Sequence, residues 1–120
     1  PPTVASSALA AIRVLRREPE RVKQIRDSAS YFRESLKKLG YKPLEGNAAI
    51  IPIILGETSR AIAASRKLLE NGIFVTGFGF PVVPEGEARI RIQMSAALTK
   101  TDLDFALNVF EKLRPELLLR

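Results

Sequence analysis

The 120-residue chain carries 19 Lys and Arg against 13 Asp and Glu, a net charge of +6, with 46% apolar and 27% charged residues. This suits one globular domain with one core, and no apolar run reaches the roughly 20 residues of a membrane span. The chain has no cysteine and no histidine, which excludes disulfides, thiolate chemistry and imidazole as base or metal ligand.

The first predicted element opens at Pro1-Pro2, where proline suits a first helical turn. Val4, Ala8, Leu9, Ala11, Ile12 and Leu15 then follow helical spacing. A helix starting at the first residue reads as a piece of a longer chain. Pro19 breaks and restarts the helix. Val22, Ile25, Ala29, Phe32, Leu36 and Leu39 make an amphipathic stripe, and Gly40 stops it. Nine basic and four acidic residues lie between Arg13 and Lys38, Arg33 among them. The simplest reading is a solvated helix face, and nucleic-acid attraction is the sharper one.

Ala48 to Leu55 is a continuous apolar run and predicts a strand. Pro52 places it at a sheet edge, or where its missing N–H has no ladder partner. Gly56 ends the run. Thr58 is the expected N-cap of a helix carrying Ala61, Ile62, Ala64, Leu68 and Leu69, closed by Asn71-Gly72. Ile73-Phe74-Val75 predicts a short strand. The stretch TGFGFPVVPEGE, from Thr76 to Glu87, holds three glycines and two prolines among apolar residues. It predicts a long loop that faces a partner surface, a cleft or its own domain. Its carboxylates Glu85 and Glu87 are expected in solvent.

Ala88 to Ser95 alternates, with Ala88, Ile90, Ile92 and Met94 on one face and Arg89, Arg91, Gln93 and Ser95 on the other. Thr99 and Asp102 approximate a capping box. A last amphipathic helix through Leu103, Phe110 and Leu117 is expected to kink or end near Pro115. The order is helix, helix, strand, helix, strand, strand, helix. It predicts an α+β fold, a small mostly antiparallel sheet covered by helices. Arg89 and Arg91 then share a polar face towards solvent or another domain. Arginine suits two-pronged recognition of a carboxylate or phosphate, and a strand fixes its direction. There is no Walker sequence, GxGxxG or metal cluster.

The segment VTGFGFPVVPEGEARIRIQMSAALT, from Val75 to Thr99, resembles the α-oxoamine synthase family of pyridoxal-phosphate (PLP) enzymes. AIIPIILGE, from Ala49 to Glu57, and the opening PPTVA extend the likeness along the chain. The wording PVVP and ARIRIQMSAA favours the 2-amino-3-ketobutyrate CoA ligase (glycine C-acetyltransferase) branch over the 8-amino-7-oxononanoate synthase branch. In two places where the family carries His, this chain has Ala48 and Leu98.

The resemblance implies the C-terminal small domain of a fold-type I PLP-dependent transferase. Residues 1–40 would be a helical segment leading out of a large domain, and 41–120 an α+β core. It implies that the Schiff-base lysine, the PLP contacts and cross-dimer hydroxyls lie upstream, so the chain alone is expected to be inactive. Arg91 corresponds to the family's carboxylate-binding arginine, and Val82 falls where a relative places a substrate-contacting threonine. The implied substrates are glycine and acetyl-CoA, giving 2-amino-3-ketobutyrate and CoA, in a cytoplasmic homodimer without nucleic-acid or membrane partners. Two rival classes stand beside this. One is a non-catalytic dimerisation or interaction module, and the other a basic nucleic-acid-binding domain.

Overall fold

The computed structural model describes residues 1–118. Four helices and three strands run in the expected order: α1 (Pro2–Arg17), α2 (Glu20–Lys38), β1 (Ile50–Gly56), α3 (Thr58–Glu70), β2 (Thr76–Phe78), β3 (Ala88–Gln93) and α4 (Lys100–Leu117). The sheet order is β1-β3-β2 with both pairings antiparallel. The α+β expectation holds.

The register explains the alternation. Ile51 faces Ile92 and Ile53 faces Ile90, so one sheet face is aliphatic throughout. Those four are buried and pack with Phe32, Leu36, Leu68, Phe110 and Leu113 from α2, α3 and α4. Pro52 sits on edge strand β1, paired with Arg91 on one side. On the other side its carbonyl accepts the Leu44 N–H at 2.9 Å. No ladder bond from a proline nitrogen is needed there.

Tyr41 closes the base of this core. Its ring meets Phe110 edge-on at 5.3 Å, and its hydroxyl donates to the Phe110 carbonyl at 2.7 Å. Burial pushes the Tyr41 hydroxyl pKa up to about 12, because the phenolate cannot be solvated there. The raised value means the protonated form is favoured by folding. That stabilisation is complete below the ordinary value of about 10 and is lost as pH rises through about 12. Tyr41→Phe is expected to cost about 1 kcal/mol at neutral pH, the worth of the lost hydrogen bond. It should also flatten the alkaline arm of a stability–pH curve, which urea titrations between pH 7 and 11 would measure.

Three expectations need correction. Ile73 to Val75 is irregular, and the strand begins at Thr76. The Ile73 N–H turns back to the Leu68 carbonyl at 2.9 Å to finish α3, which takes it out of the ladder. Thr58 is the first residue of α3 rather than its N-cap. Glu57 holds the cap position without a side-chain bond. Helix α4 ends at Leu117, close to Pro115 as expected. Arg33 is not on a solvated face. It is 4% exposed and donates to the carbonyls of Ala48 and Ile50, both at 3.3 Å. The capping box forms as expected, with Thr99 and Asp102 exchanging bonds. Elsewhere in the basic region, Arg17 and Arg21 pair with Glu18, Lys23 pairs with Asp27, and Lys37 pairs with Glu34 and Glu45.

Helix α1 buries none of its residues. Val4, Leu9, Ile12 and Leu15 are all at least 47% exposed.

Candidate functional site

Helices cover one face of the sheet, and the other face stays open. Strand pleating sends Pro52 and Ile54 of β1, Thr76 and Phe78 of β2, and Arg89, Arg91 and Gln93 of β3 to that open face. Beyond β2 the chain rises into the loop 79–87, which leaves Phe80 and Val82 at 67% and 71% exposure. The open face therefore joins a cationic centre to an apolar rim.

The two arginines differ in their surroundings. Arg89 is tied to its neighbour, donating from Nε to the Glu87 carbonyl at 3.0 Å and pairing with the Glu87 carboxylate at 3.2 Å. Glu87 is thus not simply solvated. Arg91 lies over the Phe78 ring at 4.2 Å from its centroid and pairs with no carboxylate among the described residues. The ring holds the guanidinium by cation–π attraction, which leaves its N–H fork unspent. An exposed fork seated over an aromatic ring can take a carboxylate through two parallel hydrogen bonds.

Two glycines make this packing possible. A Cβ on Gly77 would sit 2.8 Å from the Ala61 carbonyl oxygen, and one on Gly79 would overlap the Thr58 side chain. The backbone of β2 and its continuation lies directly on α3. Sequence patterning read these glycines as loop formers, whereas they are points of close approach.

Val82 is at the tip of the loop, its N–H bonded to the Gly79 carbonyl at 2.9 Å. Phe78 beneath Arg91 escaped the reading from sequence. No local signal marks it, because the contact follows from the register that sets Phe78 opposite Arg89, two residues from Arg91. Glu85 is exposed as expected, and its carboxylate also accepts bonds from Thr58.

No lysine lies on any of the three strands. Lys23, Lys37, Lys67 and Lys100 are on helices and paired with carboxylates. Among the described residues no group of His, Cys, Asp or Glu could hold a metal ion. Among the described residues no helix is long and apolar enough to cross a membrane. A concavity of about 570 Å³ opens between Glu57, Arg60, Lys67 and Glu116. Its Lys67 and Glu116 already satisfy each other at 3.5 Å, so the open face is the better site.

Residues 1–110 match the family model described as aminotransferase class I and II. Over 93% of its length the chain is 46% identical to a protein of Thermus thermophilus named 8-amino-7-oxononanoate synthase/2-amino-3-ketobutyrate coenzyme A ligase. It is 44% identical over 97% of its length to the 8-amino-7-oxononanoate synthase of Thermosipho melanesiensis. It covers 28% and 30% of those two proteins. Further bacterial relatives carry the second name. The fold superposes on Sphingomonas wittichii serine palmitoyltransferase with a TM-score of 0.88 at 27% identity, covering all of this chain and 31% of that one.

Proposed function

The chain belongs to the class I and II aminotransferase family, and from that membership we propose that it is the C-terminal, substrate-facing domain of a PLP-dependent α-oxoamine synthase. One observation carries the site. Arg91 is held on Phe78 at the centre of an open sheet face with its fork free. The likeness to fold-type I enzymes and the relatives' names support the family. Arg91 binds the amino-acid carboxylate and so sets the direction of the Cα–H bond, and Val82 borders the substrate. Residues 1–40 lead out of a large domain, but the small domain's core is not confined to the segment after residue 40, since Ala29, Phe32 and Leu36 of α2 belong to it.

The three strands that make the open face carry no lysine, which fits a Schiff-base lysine supplied from outside this chain. The cofactor is held by the rest of the enzyme, a cytoplasmic homodimer. When bound there it supplies the electron sink that lets an amino-acid Cα–H act as an acid. This chain supplies the carboxylate grip and an apolar wall. Alone, with PLP, glycine and acetyl-CoA, it is expected to give no acyl transfer. CoA release above the protein-free rate would overturn that division of labour.

The first reading of the substrates is glycine and acetyl-CoA, supported by the PVVP and ARIRIQMSAA wording. Glycine Cα joins the acetyl carbonyl and loses a proton, CoA leaves as the thiol, and the carboxylate stays in 2-amino-3-ketobutyrate. The relatives' names favour a second reading, 8-amino-7-oxononanoate synthesis. That product's skeleton requires alanine and a seven-carbon dicarboxylic acyl thioester, with the amino-acid carboxylate lost as carbon dioxide. Carboxyl-labelled glycine and alanine, given to the full-length enzyme with each thioester, separate the two. CoA release with glycine and acetyl-CoA supports the first reading, and CoA release with alanine and the seven-carbon thioester, with carboxyl label lost as carbon dioxide in step with it, supports the second. No turnover with either pair sinks both.

A further inference from the structure

The loop bearing Phe80 and Val82 is fastened to the start of α3 by a side-chain pair. The Thr58 hydroxyl donates to one Glu85 carboxylate oxygen at 2.9 Å and accepts the Phe80 N–H at 3.0 Å. The Thr58 N–H donates to the other Glu85 oxygen at 3.3 Å. This N–H is one of the unpaired donors at a helix start, where a carboxylate is favoured. Gly79 lets the loop backbone lie against the Thr58 methyl. The rest of the loop closes on itself, through Val82 and Val83 to the Gly79 carbonyl and Glu87 to the Pro84 carbonyl. The loop is therefore internally closed, and the Thr58–Glu85 pair ties it to the start of α3.

The unit presents only apolar side chains at its tip, Phe80 and Val82, whereas Arg91 supplies the cation on the sheet below. An acyl chain matches the first and a carboxylate the second. We propose that Thr58 and Glu85 are positioning residues that hold the Phe80–Val82 wall against the acyl part of the thioester, separately from the amino-acid grip of Arg91. This rests on the substrate-facing role proposed above.

The test uses the full-length, PLP-loaded enzyme and whichever acyl-CoA the labelling experiment identifies. Thr58→Val keeps the shape and removes the hydroxyl, leaving the Phe80 N–H without its acceptor. Its acyl-CoA KM is expected to rise roughly tenfold, with the amino-acid KM within about twofold. Hydrogen exchange in the 79–87 peptide should accelerate. Glu85→Ala should follow Thr58→Val, and Thr58→Ser should restore values close to the parent. An unchanged acyl-CoA KM in Thr58→Val, a matching rise in both KM values, or a serine variant as impaired as valine overturns the proposal. Arg91→Ala distinguishes the two levels. If it leaves the amino-acid KM unchanged, the substrate-facing reading fails and the proposal with it. If it responds while Thr58→Val does not, only the positioning role fails.

Discussion

Replacing Arg91 by alanine in the full-length enzyme is expected to raise the amino-acid KM by about 30- to 160-fold and to leave the PLP absorbance unchanged. The size follows from two hydrogen bonds between a guanidinium and a carboxylate, together about 2–3 kcal/mol at a partly exposed site. Each 1.4 kcal/mol is about tenfold in KM when it reports binding. Arg91→Lys keeps the charge and loses the flat fork, so its KM should fall between the two. Arg89→Ala serves as the control. Arg89 is spent on Glu87, so its loss should change KM by about twofold or less. Steady-state kinetics with the amino acid varied at saturating thioester measures all three. Unchanged amino-acid kinetics in Arg91→Ala would end the carboxylate-binding assignment. An equal effect from Arg89 would show instead that the face acts through its overall charge.

Phe110→Ala is expected to cost about 3–5 kcal/mol of folding stability. Phe110 is fully buried, and it meets Phe32 edge-on at 6.1 Å and Tyr41 edge-on at 5.3 Å. Removing the ring opens a cavity where α2, α4 and the segment after α2 converge. It also removes two aromatic pairs worth about 0.5–1.5 kcal/mol each beyond their area. Phe110→Leu fills much of the space and should cost less than half as much. Val82→Ala, at an exposed tip, should stay within about 0.5 kcal/mol. Urea titrations followed by circular dichroism of the 120-residue chain give the values. A Phe110→Ala cost below about 1 kcal/mol would mean that this cluster does not organise the core.

Several features were legible because their signals are local. The stripe from Val22 to Leu39 repeats at helical spacing, and its buried members lie on the face of α2 that meets the sheet. The alternation from Ala88 to Met94 tells inside from outside residue by residue, since a pleated strand sends neighbours to opposite faces. Thr99 and Asp102 form their capping box within three residues. The strand expected at Ile73 to Val75 failed for a reason of the same kind. β-branched and aromatic residues fit a strand there, but the end of α3 needs the Ile73 N–H, and the partner on β3 lies opposite Thr76 to Phe78. Propensity cannot register that competition. The same holds for Arg33, which sequence places among solvated basic residues. Its burial depends on two carbonyls 15 and 17 residues further along.

Sequence alone settled the kind of fold, the core-facing residues of β3 and the pairing of two arginines on one open face, because periodicity is written within each element. Only the tertiary structure separated those arginines, giving Glu87 to Arg89 and the Phe78 ring to Arg91. It alone joined Thr58 to Glu85 across 27 residues. Such contacts depend on strand register and on how closely β2 approaches α3 at Gly77 and Gly79, which are set when the elements pack.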